Sequence, residues 1–288
     1  MRITTVSGRL TLLEPGTDPD EPRGIDVADA SGGRFDADPQ AVYARWDELR
    51  AWAAAASFTS AAPLDPTALG PVTPRPTQVF AIGLNYRDHA AESGFELPNE
   101  PVVFTKYASS FTGPRGDVRL TGGNVDWEVE LVAVIGAGGH RVAEADGWDH
   151  VAGLTLGQDL SDRVAQFAAP PPQFGMGKSF PGFSPVGPAL VTTDELRADG
   201  IDPDDLELGC LVNGESVQKG RTSAMIFSVP ALVAKLSAIV TLLPGDVIFT
   251  GTPSGIGAGM TPPRFLAEGD ELTSWCTGIG HLRQRFVS

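Results

Sequence analysis

The stretch Asn124–Ile135 reads NVDWEVELVAVI. Taken as one extended strand, it alternates its side chains with a period of two, placing Asp126, Glu128 and Glu130 on one face and Trp127 and Val129 on the other. Carboxylates at this spacing repel one another unless a cation, a base or protonation relieves them, and hard divalent ions choose oxygen ligands of this kind. A solvated edge-strand face could carry the same acids with no ligand at all. The continuous apolar run 131–135 argues against that face, because it fits a strand buried on both sides, where an unpaired charge is costly.

At 288 residues the chain is long enough to bury a full core, as one large domain or as a small domain beside a larger one. A formal net charge of -15 disfavours nonspecific binding to nucleic acid or anionic membrane surfaces, yet a local cluster of cations in a cleft can still receive an anionic substrate. Cys210 and Cys276 stand far apart without the C-x-x-C spacing of zinc or redox sites and read as core residues in a reducing compartment. No apolar run follows Arg2 and no window approaches a membrane span, so the expected location is cytoplasmic.

Two short strands around Ser7-Gly8 open the chain, and Asp38 is expected to cap a helix carrying Val42, Trp46, Leu49 and Ala53 at helical spacing. The Pro-rich stretch 61–76 reads as a connection, so the expected division is a small N-terminal domain with linker at 1–75 and a larger domain at 76–288. A strand at 78–83 leads into NYRDHAAESG, where His89 and Glu92 share a face if residues 88–93 form a helical turn. A carboxylate beside an imidazole fixes its tautomer and raises its basicity, although a surface helix pair has the same spacing.

A strand at 101–106 ends on Lys106, and a strand at 151–156 leads to Asp159, with Arg163 and Gln166 at i, i+3 on a short helix beyond. Asp159 would serve equally as an N-cap. Lys178 stands in the Gly- and Pro-rich stretch 174–188, open enough to be a lid or to wrap a ligand. Asn213-Gly214 marks a hairpin, residues 194–206 read as an exposed hairpin end, and a helix from Ser228-Val229-Pro230 carries Leu232, Val233, Leu236, Ile239 and Val240 on one stripe. The strand GDVIFT runs into GTPSGIG at 251–257, which lacks the endings of nucleotide loops but offers Thr252 and backbone amides to a small anion. Many short strands and few helices predict an α+β protein that is mainly β.

The ordered pieces GLNYRDHAAESG, PVVFTKYASS, VDWEVELVAVIG, QDLSDRVAQ, GKSF, VNGESVQKG with TSAMIF, and LLPGDVIFTGTPSGIG resemble the fumarylacetoacetate hydrolase family over residues 78–256. The resemblance implies a mixed, rolled β-sheet core of that family's C-terminal type and a homodimer. It also implies Mg2+ or Mn2+ held by Glu128, Glu130 and Asp159, with Asp126 helping through water. By the same resemblance His89 and Glu92 form a water-activating dyad, Lys178 stabilises an oxyanion or enolate, and Arg163, Gln166 and Thr252 contact substrate; Lys106, at the tip of its strand, is expected to contact substrate as well. Gln158, Asp162 and Val164 depart from the family's usual Asn, Ala and Asp at those places.

A metal gripping a 2-oxo acid through its carboxylate and keto oxygen is an electron sink for the enolate formed when a bond at the 3-carbon breaks. The leading expectation is therefore a hydrolase cleaving a carbon–carbon bond of a 2,4-dioxo acid of the acylpyruvate type to pyruvate, or a substituted pyruvate, plus an acid. The alternatives are an isomerase or decarboxylase of a dicarboxylic 2-oxo acid, as in aromatic catabolism or on oxaloacetate, and a noncatalytic protein that binds metal and oxo acid. Residues 86–99 and 161–175 are expected to be lids that order on substrate.

Overall fold

Every residue of the strand Val129–Ile135 is buried, and both of its neighbours run antiparallel to it. These are Val151–Gln158, with Leu131 opposite Leu156, and Val247–Phe249, with Val132 opposite Phe249. The computed structural model describes residues 1–18, 21–88 and 97–288. Around this centre a 12-stranded mixed sheet continues through Ser184–Val191, Arg2–Val6, Arg9–Leu13 and Arg23–Asp26 on one side. On the other side it continues through Val79–Gly83 and Val102–Phe104. A second, five-stranded sheet orders Glu215–Arg221, Glu207–Val212, Glu271–Cys276, Gly280–Val287 and Arg115–Arg119. The described fold is α+β and mainly β. Among the described residues, no helix is long and apolar enough to cross a membrane.

The period of two explains why the central strand is buried on both faces. Val129, Leu131, Ala133 and Ile135 enter the core shared with Leu208, Leu272 and Phe286 of the five-stranded sheet. Val132 and Val134 enter a second core with Ile3, Leu10, Tyr43 and Leu49. The first seventy-odd residues therefore cover one face of the same sheet, and Arg2–Val6 extends it edge to edge, Arg2 opposite Val191 and Ile3 opposite Leu190.

Three local expectations are corrected. Asp38 does not cap the helix Trp46–Ala53, whose N-cap makes no side-chain bond; it accepts from the Gln40 amide at 3.0 Å and pairs with Arg75. The helix from Ser228 is capped as expected, the Ala231 amide donating to its hydroxyl at 3.3 Å, but it ends at Ser237 and leaves Ile239 84% exposed. Residues 194–206 open with the helix Thr193–Ala198 rather than a hairpin end. The Asn213-Gly214 hairpin is as expected, both residues at positive φ (54° and 82°), the geometry a type I′ turn demands and Gly tolerates best.

The stretch read as one strand is two. Val125–Asp126 pairs with Ser161–Asp162, and the main ladder starts only at Val129. Where the chain leaves the ladder, two glutamines take over: Glu128 N donates to Gln158 Oε1 at 2.9 Å and Val129 N to Gln218 Oε1 at 3.0 Å. Buried amides need such partners. The break turns Asp126 away from the other two acids.

Candidate active site

Glu130 lies in the central strand, Glu128 just before it, and Asp159 just after the neighbouring strand, its amide donating to Glu128 O at 2.9 Å. Strand pairing thus gathers three acids separated by up to thirty-one residues, with one oxygen from each within 4.8 Å of the others. Asp159 is not an N-cap; that role belongs to Asp162, which accepts from Val164 N and Ala165 N at 2.9 and 3.1 Å and so aims the helix Arg163–Gln166.

Three cations are built into the cluster. Lys178 Nζ lies 2.7 Å from both Glu128 Oε2 and Asp159 Oδ2. Lys106 Nζ donates to Asp159 Oδ1 at 2.6 Å and to the carbonyls of Lys178 and Phe183. Arg163 grips Asp126 Oδ2 through Nε and Nη2 at 2.9 and 2.7 Å, while its Nη1 reaches Glu128 Oε1 at 2.7 Å and Gln166 Oε1 at 2.9 Å. Asp126 also accepts from the amides of Gly257 and Ala258, so it anchors Arg163 and the 251–258 loop.

The titrations follow from these neighbours. Burial pushes the Glu130 carboxyl well up, and the charges of Asp159 and Glu128 push it further, against the Lys178 charge and a backbone bond from Gly251 N at 2.8 Å. Gly251 sits at φ +97°, and a Cβ there would lie 2.8 Å from the Asn85 Cβ, so glycine alone brings this amide to the acid. Burial lowers Lys178, but Asp159 and Glu128 outweigh it and the ammonium is held above its ordinary range. For Lys106 burial wins and the shift is downward. The Tyr86 hydroxyl, buried without a hydrogen-bond partner among the described residues, is raised by burial and by the Glu130 charge.

The donor set fits a hard divalent cation. Glu128, Glu130 and Asp159 each offer a buried carboxylate oxygen within 4.8 Å of the others, so these three residues would hold such an ion. Among the described residues the four acids Asp126, Glu128, Glu130 and Asp159 face the three cations Lys106, Lys178 and Arg163. Fully ionised, that group keeps one negative charge in excess, a charge a cation would relieve.

A cleft of about 600 Å³ opens over the cluster, with Glu128, Arg163, Gln166, Lys178 and Thr252 in its lining. Thr252 Oγ1 donates to Val129 O at 2.9 Å and accepts from Gln218 Nε2 at 2.8 Å, so its hydroxyl is already bound to the scaffold. Lys106 is expected at the substrate, but its side chain is 0% exposed and lies behind Asp159, outside the cleft lining. His89 and Glu92 lie outside the described residues, as does most of the expected lid at 86–99.

Gln218 and Asn85 stand inside the quoted motifs without a role assigned from sequence, and the structure supplies one. Asn85 ties Phe227 and Thr250 together, donating from Nδ2 at 3.0 and 2.7 Å and accepting Phe227 N at 2.8 Å. Gln218 accepts Val129 N and Cys210 Sγ and donates to Thr252 Oγ1 and Pro253 O. Gln218→Ala leaves several of these buried groups unpaired and is expected to lower unfolding free energy by about 2–4 kcal/mol. The check is the urea midpoint at unchanged slope; no shift would show that this amide holds nothing.

The profile of the fumarylacetoacetate (FAA) hydrolase C-terminal family matches residues 78–287. Human oxaloacetate tautomerase FAHD2A, mitochondrial, is 45% identical over 223 residues, 77% of this chain and 69% of that protein. A Mycobacterium smegmatis protein solved as a candidate HpcE superposes with a TM-score of 0.90 at 52% identity, covering 100% of this chain and 99% of that one. Maleylpyruvate hydrolase from Sphingobium sp. SYK-6, solved with manganese and pyruvate, superposes with a TM-score of 0.78 at 26% identity, covering 100% and 99%. By profile, sequence and structure, this chain belongs to the fumarylacetoacetate hydrolase family.

Proposed function

We propose that this protein is a divalent-metal-dependent enzyme that enolises a 2-oxo acid, as a tautomerase or isomerase. The observation that carries the proposal is the buried group of Glu128, Glu130 and Asp159 with the Lys178 ammonium between two of them, Glu128 and Lys178 lining a cleft. Hydrolysis is the leading expectation from the acids and the His89–Glu92 pair; the relative named an oxaloacetate tautomerase, at 45% identity, supports enolisation ahead of it.

Glu128, Glu130 and Asp159 would hold Mg2+ or Mn2+, which when bound supplies the positive charge that favours an enolate over a ketone. Lys178, kept protonated by its two acids, places a second positive charge where the 2-oxo oxygen gains electron density. Arg163 and Gln166 present their polar ends to the substrate carboxylate from a helix fixed by Asp162. With all seven groups of the described cluster ionised and a divalent ion added, the cluster would carry a single excess positive charge, matched to a monoanionic acid. Enolisation needs a base at the 3-carbon and no attacking water, and His89 supported by Glu92 is the proposed base.

The second reading is carbon–carbon hydrolysis, favoured by the manganese- and pyruvate-bound hydrolase relative. The test is to strip the protein with chelator, reload it with Mn2+ or Mg2+, and follow oxaloacetate enol absorbance, pyruvate and carbon dioxide together. Metal-dependent approach to keto–enol equilibrium, falling about 100-fold on chelation and restored by metal, is the expected result. Pyruvate from acetylpyruvate without enolisation would establish the hydrolase instead, and carbon dioxide from oxaloacetate would establish a decarboxylase.

A further inference from the structure

The cleft lining is of two kinds. Glu128, Gln166, Lys178 and Thr252 are buried polar groups deep in it. The rest is largely apolar, with Val102, Phe104, Phe167 and Phe174 prominent. The three phenylalanines form an edge-to-face series, Phe104 to Phe174 at 5.7 Å and Phe174 to Phe167 at 5.9 Å between ring centroids. This aromatic wall begins at the chemistry itself, because Lys178 Nζ lies 5.1 Å from the Phe104 ring centroid. At the rim, Phe167 is 56% and Val102 40% exposed, uncovered apolar surface on the inside of a concave site.

Among the described lining residues a second substrate carboxylate finds no further cation. The two cationic side chains among the described lining residues, Arg163 against Asp126 and Glu128 and Lys178 between Glu128 and Asp159, are taken up by the first carboxylate and the 2-oxo oxygen in the enolisation reading. A carboxylate laid on the phenylalanines would lose its water without gaining a partner, whereas an apolar group there gains burial. About 600 Å³ is also more room than a four-carbon diacid fills.

We propose that the substrate is a monoanionic 2-oxo acid whose 3-carbon carries an aryl or branched alkyl group seated on Phe104, Phe167 and Phe174. The inference rests on the enolisation reading for its chemistry, in which one proton leaves the 3-carbon, one is gained by the 2-oxo oxygen, and the double bond shifts between them. It goes beyond that reading in naming the group that the outer cleft selects.

The experiment compares kcat/KM for enolisation of phenylpyruvate and oxaloacetate by the Mn2+-loaded full chain, and by Phe104→Ala, Phe174→Ala and the rim variant Phe167→Ala. Phenylpyruvate is expected to be favoured at least tenfold, and the variants to cut that ratio at least fivefold, chiefly through KM. Phe167 is exposed enough that its variant tests the wall without threatening the fold. Calorimetric binding of the non-enolisable 3,3-dimethyl-2-oxobutanoate against glyoxylate gives a readout independent of turnover. Oxaloacetate preferred, or a ratio that none of the variants moves, overturns the inference and leaves enolisation standing. No enolisation of either acid, with the dimethyl compound bound at least tenfold more tightly than glyoxylate, overturns enolisation and upholds the apolar site. Equal or absent binding of the two in that case overturns both.

Discussion

Glu130→Gln is expected to make the metal-free protein more stable while removing its activity. Glu130 is buried beside Asp159 and Glu128, and desolvation together with those two charges penalises its ionised form. An amide keeps the shape and the acceptor that Gly251 N requires, but drops the charge that is out of place until a cation arrives. The gain is about 0.5–2 kcal/mol, a rise of a few degrees in Tm without metal. The same change removes a proposed ligand, so the Tm increase on adding Mn2+ should largely vanish and turnover should fall roughly 100- to 1000-fold, the scale of losing one strong electrostatic stabiliser. Thermal unfolding with and without Mn2+, beside the enolisation assay, checks it. A variant less stable than the parent without metal, yet equally stabilised by Mn2+, would sink the assignment of Glu130 to the ion.

Lys106→Met should act in the opposite sense, destabilising the protein whether or not metal is present. The Lys106 ammonium is sealed in the interior, where it neutralises one side of Asp159 and satisfies the carbonyls of Lys178 and Phe183. Methionine fills similar space but supplies none of these bonds. Removing one partner of a buried ion pair costs about 3–5 kcal/mol, far more than the pair is worth in comparison with an apolar replacement of both. The expected readout is a lower urea midpoint at unchanged slope, and a loss below about 1 kcal/mol would mean that Asp159 is balanced without Lys106. Because Lys106 lies outside the cleft lining, any activity lost should follow from displaced Asp159 and weaker metal binding rather than from lost substrate contact.

Much of the fold was legible because its signals are local. Val129–Ile135 combines a period of two with an unbroken apolar run, and the Asn213-Gly214 pair meets the positive φ values of its turn. The acids Glu128, Glu130 and Asp159 were legible from alternation along one strand, the end of the next, and the ordered family motifs. Helix ends were less so, since Ile239 fits the apolar stripe of its helix but falls beyond a last turn that periodicity does not mark.

The β-rich class, the central buried strand and the residue types of a carboxylate cluster able to hold a metal are thus readable as properties of neighbours along the chain. How the charges are shared follows from packing between distant segments. Asp126 serves Arg163, thirty-seven residues away, because the strand breaks where Gln158 and Gln218 take the Glu128 and Val129 amides. Lys106 is a buried counter-ion rather than a substrate contact for the same kind of reason. The wall of Phe104, Phe167 and Phe174 likewise exists only once separate segments meet. Ion pairs and ring contacts depend on distances in space, and a linear pattern specifies those only where the chain stays within one element.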